Sequence, residues 1–443
     1  MNSRQVDVLV IGSGIGGMCA AAYLSHKGYQ VLVTEALPRI GGHCSTIEYQ
    51  GVKCTTGVLG PGLGGPLEEL FQEVGAEYNV RPCGTPHYLI NGKIIKLPQK
   101  GALRTLLSAA AHKSDDVKPV LKAFAKEMSS AESAPTMSLR KWIIQFTSDK
   151  GILDLFQTMT AATAIVDIDN ISARGFFLFL KKLRGWREWG VCPEGSIALP
   201  NALAKVIEKN NGEIWTGSPA MCIHSEENIA RGATLYKDGR EVKVQATVVI
   251  SNCGPKRTVD LAGKDNLGGD YVASLEELTP ARAISIHIKS DVPLMDHDHL
   301  LIVGARRIIA LFQLTTVCPE LAPPGTHYLV AAADPVGSLE SSEARREIDL
   351  STEDLRDLLP GFESHAQILM TGCYHGNWPA MFSIAGQAMS QKTPIENLYA
   401  VGDGFISDAG MTAMVGAAGS GIEAAKDITM HTEPRIKKNN SKV

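Results

Sequence analysis

Apolar and polar positions along this chain fall into blocks whose period switches between that of a strand and that of a helix, and the first switch is the most informative. Val8, Leu9, Val10 and Ile11 form a short apolar run of the kind needed by a strand buried on both faces. Gly12, Gly14, Ile15, Gly16 and Gly17 follow, and a helical pattern then runs from Met18 to His26. Gly28 stops that helix, Val31 to Val33 makes the next strand, and Glu35 and Ala36 stand at its end. In such a unit Gly12 permits the sharp turn, Gly14 lets a pyrophosphate approach the backbone, and Gly17 lets helix and strand pack closely. Free N–H groups and the positive helix end face the phosphates, and Glu35 stands where it can accept from both ribose hydroxyls. The spacing predicts an adenine dinucleotide with a free 2′-OH.

Later blocks are read the same way. Gly57 to Gly65, with Pro61, predicts a flexible loop before a helix from Leu67 to Val74, and Tyr88 to Leu97 a hairpin turning at Asn91-Gly92. Helical periodicity dominates from Leu103 to Leu183, broken near Ser133 to Pro135, as an inserted helical lobe would show. Inside it Phe176, Phe177, Leu178, Phe179 and Leu180 precede Lys181, Lys182 and Arg184. That run fits either peripheral membrane contact, dipping into an interface to collect an apolar substrate, or a buried helix with a solvated end. The segment PEGSIALPNALAKVIEKNNGEIW, beginning at Pro193, predicts a glycine turn, a helix with Leu199, Leu203, Val206 and Ile207 on its apolar face, and a strand. Ala220 and Met221 open another strand, a hairpin turns at Asp238-Gly239, and the run Ala246 to Ile250 ends in Ser251, Asn252, Cys253, Gly254 and Pro255. A mixed lobe follows, with a strand from Ala283 to Ile288. In it Asp296, His297, Asp298 and His299 alternate as strand ligands would, but no third ligand cluster lies nearby and no metal is expected. Leu398 to Val401 predicts a buried strand, Gly402-Asp403-Gly404 a turn, and Gly410 to Ala425 a small-residue helix opening with Met411, Thr412 and Ala413.

Composition narrows the class. A chain of 443 residues with 44% hydrophobic and 20% charged content is long enough for two domains with ample cores. A net charge of −4 gives no reason to expect nucleic acid. Nine cysteines without a CxxC pair, and no leader pattern ahead of the first strand, fit a reducing cytoplasm. No apolar run approaches the roughly 18 residues of a membrane span. The stretch from Pro434 to Val443, rich in Lys, Asn and Ser, reads as a disordered tail.

The segment PRIGGHCS, Pro38 to Ser45, puts a second glycine pair, Gly41 and Gly42, directly after the ribose acid, so that more backbone N–H groups can reach the phosphates. This pattern resembles the FAD-binding start of the amine oxidase and phytoene desaturase superfamily, in which an acid is followed by a Gly-Gly-Arg segment. His43 stands where that family usually has arginine, and an imidazole holds a phosphate less firmly than a guanidinium does. The Pro193-Glu194-Gly195 re-entry, the Ser251-Asn252 strand end and the Gly402-Asp403 turn with its glycine helix extend the resemblance to both ends of the chain and favour FAD over NAD. The resemblance implies an α/β fold: a Rossmann-like (GR2-type) FAD-binding domain of residues 1–75, 190–260 and 391–434, a second, mixed α+β substrate domain of residues 76–189 and 261–390, and a tail at 435–443. It also implies that Gly57 opens a loop near the isoalloxazine ring and that Ala220 and Met221 border the adenine. Asp403 would hold a ribityl hydroxyl or the pyrophosphate region, and Gly410, Met411, Thr412 and Ala413 would point at flavin N1 and O2.

The resemblance leans toward the phytoene desaturase branch. It implies hydride exchange between flavin N5 and a carbon–carbon bond of an apolar substrate, cyclic ones included, in a desaturase or dehydrogenase. A flavin amine oxidase and a non-catalytic FAD-binding protein are the alternatives. An amine oxidase would need an aromatic cage, for which Tyr374 and Trp378 are candidates. His375, the neighbour whose ordinary pKa lies near neutrality, completes the candidate catalytic set. Cys373-Tyr374 resembles the Cys-Tyr pair of monoamine oxidases, which sets covalent attachment of FAD against a plain buried thiol. No second strand, glycine turn and acid unit occurs, so no resident NADPH site is expected. Electrons would then pass to oxygen, a quinone or a redox protein.

Overall fold

A computed structural model describes residues 3–183, 188–408 and 413–435. It is a mixed α/β fold built around two seven-stranded sheets. The first sheet runs in the order Glu213–Trp215, Val31–Thr34, Ser3–Ile11, Arg240–Ser251, Ile229–Lys237 and Ala220–Glu226, with Leu398–Ala400 paired to the end of Arg240–Ser251. The strands Glu213–Trp215, Val31–Thr34, Ser3–Ile11 and Arg240–Ser251 are parallel. Val8 to Val10 and Val31 to Val33 are apolar throughout and almost fully buried, as strands covered on both faces must be. The helices Ile15–His26, Pro66–Val74, Ala198–Lys209 and Ala413–His431 share one core on one face, and Pro255–Ala262 packs on the other. Ile15–His26 and Ala413–His431 touch backbone to backbone: a Cβ on Gly421 would lie 2.0 Å from the Gly16 carbonyl oxygen, and one on Gly16 would lie 2.5 Å from that of Ala417.

The second sheet runs in the order Ala366–Tyr374, Ala283–Ser290, His327–Ala333, Ile308–Gln313, His299–Ile302, His87–Ile90 and Lys93–Lys96. Its pairs are antiparallel except His299–Ile302 with His87–Ile90. The helices Ala102–Ala110, Val117–Ser129, Lys150–Ala164 and Ala173–Leu183 form a core with one side of this sheet, and Ser341–Leu358 closes the other. The hairpins at Asn91-Gly92 and Asp238-Gly239 form where their turn chemistry predicts, with positive φ at all four residues.

Several expectations change. The first helix begins at Ile15, not Met18, because Gly16 and Gly17 sit inside it as packing residues. Phe176 and Phe177 pack against Phe124, Trp142 and Phe156, and Phe179 is buried in the same core, so these three rings face inward; Arg184 lies outside the described residues. No helix among the described residues is long and apolar enough to cross a membrane. Pro434 is buried, and Arg435 pairs with Asp7 and donates to Thr247 Oγ1 at 3.1 Å, so the start of the expected tail is tied down; residues 436–443 lie outside the described residues. In the acid and histidine run Asp298 and His299 lie together, with His299 Nδ1 3.3 Å from Asp298 Oδ1, and other groups surround the rest. His297 stacks on His87 at 4.3 Å, Asp298 accepts from the Gly84 N–H at 2.6 Å, and His299 is buried between Trp189 and Phe312.

Candidate active site

Strand ends from both sheets open into a cavity of about 720 Å³. Of the residues singled out from the sequence, Gly12, Gly14, Ile15, Gly16, Glu35, Ala36, Gly41, Gly42, His43, Gly57, Ala220, Gly402, Asp403 and Ala413 line it, together with Tyr374 and Trp378. Three do not. Gly17 serves packing, since its Cβ would meet the Gly12 oxygen at 2.5 Å. Met221 is 52% exposed, because alternate side chains of a strand face opposite ways and Ala220 is the inward one. His375 is half-buried outside the lining, in the turn where its carbonyl accepts from the Trp378 N–H. Gly410, Met411 and Thr412 lie outside the described residues. Cys373 alternates with Tyr374 on the strand Ala366–Tyr374, so it packs into the core on the far side of the sheet and is not placed to bond a cofactor in the cavity.

At the glycine end, Glu35 is buried and already engaged. Its Oε2 accepts from the Ser13 N–H at 2.9 Å and the Ser13 hydroxyl at 2.6 Å, and its Oε1 accepts from the Leu37 N–H at 2.8 Å. A carboxylate has about four acceptor positions, so capacity remains for a ribose hydroxyl. Asn252, at the end of the parallel strand Arg240–Ser251, fills the space between the glycines: a Cβ on Gly14 would lie 2.5 Å from its Nδ2, and one on Gly402 would lie 2.9 Å from its Oδ1. Asp403 is half-buried, with its Oδ2 accepting from the Phe382 N–H at 2.7 Å, and desolvation pushes its carboxyl up to about 6.

At the other end His43 lies flat on Trp378, with ring centroids 4.1 Å apart and planes 20° from parallel, and 6.2 Å from the Tyr374 ring. Desolvation lowers its pKa to about 4, partly offset by a backbone hydrogen bond at Pro379, so the imidazole is neutral. Its Nε2 is buried without a partner. Residues given no site role from the sequence also line it, among them Arg39, Asn252, Arg257, Ser285, Asp334 and Phe382. Only Asn252 carried a local signal, at the carboxyl end of a parallel strand where such sheets bind ligands.

Two groups near the substrate side, buried His287 and half-buried Asp334, titrate in opposite senses. His287, held by burial at about 4, refuses a proton that the unfolded chain accepts near 6.5, so its contribution to stability is lost as pH falls from 6.5 to 4. Asp334, raised by burial to about 6, takes its proton before the unfolded chain does near 3.8, so it gains stability over nearly the same range. His43 and Asp403 oppose each other likewise. Asp334→Asn removes one gain and should expose an acid destabilisation of about 1.4 kcal/mol per pH unit between 6 and 4. Urea midpoints measured against pH in parent and variant check this; equal slopes would refute it.

The cavity meets the needs of a dinucleotide flavin. Side-chain-free backbone faces it at Gly12, Gly14 and Gly16 on one side and at Gly41 and Gly42 on the other, an acid stands at the second strand end, and an unpartnered imidazole nitrogen waits at the far end. Fold and site together define an FAD-dependent oxidoreductase. The chain belongs to the flavin containing amine oxidoreductase family, whose pattern matches residues 15–429. An uncharacterized protein of Methanocaldococcus jannaschii is 28% identical over 408 residues, covering 89% of this chain and 92% of that one. The 15-cis-phytoene desaturase of Solanum lycopersicum is 22% identical over 474 residues, covering 100% of this chain and 80% of its own. The crystal structure of an oxidoreductase from Methanosarcina mazei superposes with a TM-score of 0.83 at 27% identity, covering 95% of this chain and 100% of that one.

Proposed function

We propose that this protein is an FAD-dependent dehydrogenase or desaturase acting on a carbon–carbon bond of an apolar substrate. The observation that carries the reading is the substrate side of the cavity. Its wall is built from Ala161, Ala162, Ile165, Ile309, Ala310, Phe312, Val330 and Ala332, and one face of the Trp378 ring is covered by His43. An apolar wall selects an apolar ligand by burial, and a covered indole face has no room for a cation. The backbone of Gly14, Gly16, Gly41 and Gly42 would hold the pyrophosphate, Glu35 the ribose, and Asp403 and Ala413 the region toward the flavin ring. FAD, when bound, supplies two-electron exchange. Tyr374 and Trp378 shape the wall beside it and exclude water from the reacting bond. With one dinucleotide unit in the chain, the electrons go on to oxygen, a quinone or a redox protein.

A second reading, a flavin amine oxidase, draws on Asp334, a carboxylate in the same wall. Gln157 Nε2 already donates to its Oδ2 at 2.5 Å, and Arg282 and Arg307 counter its charge. Anaerobic mixing of the holoprotein with polyenes, cyclic ketones and amines separates the two readings. Bleaching of the flavin by amines alone would replace the first reading with the second, and no bleaching by any donor would leave a non-catalytic FAD-binding protein. With the donor found, Tyr374→Phe or Trp378→Ala should slow flavin reduction at least tenfold, about 1.4 kcal/mol of barrier, at unchanged FAD content. His375→Ala, outside the lining, should reduce at the parent rate. Stopped-flow absorbance checks all three, and parent rates in both wall variants would place the reaction elsewhere.

A further inference from the structure

We propose that Ser285 is a hydrogen-bond donor to a carbonyl-type oxygen on the molecule that occupies the substrate side of the cavity, held in that sense by a buried polar chain through His287 and Tyr328. The inference adds a polar handle to the proposed carbon–carbon substrate and rests on that reading for the substrate's class. Ser285 lines the cavity, and His287 lies two residues along the same strand, on the same face and 1% exposed. Its Nε2 is 3.0 Å from Ser285 Oγ, and its Nδ1 is 2.6 Å from the hydroxyl of fully buried Tyr328.

The sense of the chain follows from its far end. The Thr55 main-chain N–H, 3.4 Å from Tyr328 Oη, can only donate, so over this long contact the phenol oxygen acts as an acceptor. The neighbouring Cys54 thiol, pushed up by burial to about 11, keeps its own proton and offers Tyr328 only a sulfur acceptor, much weaker than an imidazole nitrogen. Burial holds the Tyr328 phenol well above its ordinary range, so its proton is free to go to His287 Nδ1. A neutral imidazole that accepts at Nδ1 carries its hydrogen on Nε2, facing Ser285 Oγ. The serine therefore accepts from His287 and directs its own hydrogen toward the cavity. The acceptor it meets there, Tyr374 Oη, is 3.4 Å away, beyond the roughly 2.5–3.0 Å of a firm O–H···O bond. A wall that presents a donor without a good acceptor selects an acceptor ligand. The neighbouring strand makes room for it: Gly372 pairs with Ser285, and a Cβ there would lie 2.7 Å from Ser285 Oγ and 2.9 Å from Tyr374 Oη.

Two measurements on the FAD-loaded protein test this. Cyclohex-2-enone and cyclohexene, the same ring without the oxygen, are titrated against the flavin absorption band. The parent should bind the enone about tenfold more tightly, and Ser285→Ala, with FAD content and unfolding midpoint verified, should bind the two alike. No preference in the parent, or a preference that survives in Ser285→Ala, overturns the proposal. Ring nitrogen-15 NMR, with the signal assigned by its loss in His287→Gln, should show His287 neutral and protonated at Nε2 from about pH 5 to 9; an Nδ1–H tautomer overturns the assigned sense. If the Ser285-dependent preference holds while no carbon–carbon donor bleaches the flavin, the proposed function fails and this inference stands. If bleaching occurs without that preference, the reverse is true.

Discussion

Replacing Gly421 by alanine is expected to strip the protein of its flavin and of much of its stability. The added Cβ would lie 2.0 Å from the Gly16 oxygen, 2.8 Å from the Gly16 carbonyl carbon and 3.1 Å from its Cα, all of them backbone atoms with no rotamer to escape into. An ordinary contact needs about 3.5 Å, so the helices Ile15–His26 and Ala413–His431 would have to part by about 1.5 Å. Overpacking that side chains can absorb costs about 1–3 kcal/mol, and a backbone-to-backbone clash belongs at or above the top of that range. The displaced segment carries Gly14, Ile15 and Gly16 out of the cavity wall, so the cofactor site deforms with it. Gly269→Ala, at a glycine with open space where a Cβ would go, is the control and should be silent. The ratio of flavin to protein absorbance after gel filtration, with the urea midpoint, decides the matter. A Gly421→Ala protein that keeps its flavin and unfolds with the parent would mean the two helices are not packed as described.

Glu35→Ala should weaken FAD binding at least 100-fold, about 3 kcal/mol. The carboxylate does two jobs at once. It ties the glycine turn to the second strand through the Ser13 N–H and hydroxyl, and it fixes the Leu37 N–H. Its loss leaves the buried Ser13 N–H and the part-buried Leu37 N–H unsatisfied as well as removing an acceptor from the ribose, and a fully buried orphaned donor costs about 1–3 kcal/mol. Glu35→Gln keeps one acceptor oxygen but turns an NH₂ toward a donor, so it should fall between parent and alanine variant. Calorimetric titration of the flavin-free proteins with FAD measures both. Undiminished affinity in Glu35→Ala, or NAD recovered from the parent, would remove Glu35 and the dinucleotide assignment from the account.

Much of the cofactor end was legible in the residues because its signals are local. A strand buried on both faces must be apolar throughout, a chain that turns at positive φ calls for glycine, as at Gly12 with φ +97°, and Asn-Gly or Asp-Gly between two apolar runs suits a tight hairpin. Those constraints act over a few residues, and each left its mark there. Glu35 showed itself by its distance from the turn, although its bonds to Ser13 and Leu37 did not.

The substrate end was decided by tertiary structure. Whether Cys373 or Tyr374 faces the cavity depends on which side of the sheet the alternation places each residue, and period two alone does not say which side is which. His375 was singled out for its pKa, yet it sits in a turn just past the strand, outside the lining. His43 read as a weakened phosphate ligand, and only folding set its ring on that of Trp378. Ser285, His287, Tyr328 and Thr55 carry no motif, because a hydrogen-bonded chain across strands is specified by register and burial, which join residues far apart in sequence. Short-range sterics thus wrote the nucleotide-binding unit into the sequence, whereas the wall that meets the substrate exists only once long-range pairing has brought its residues together.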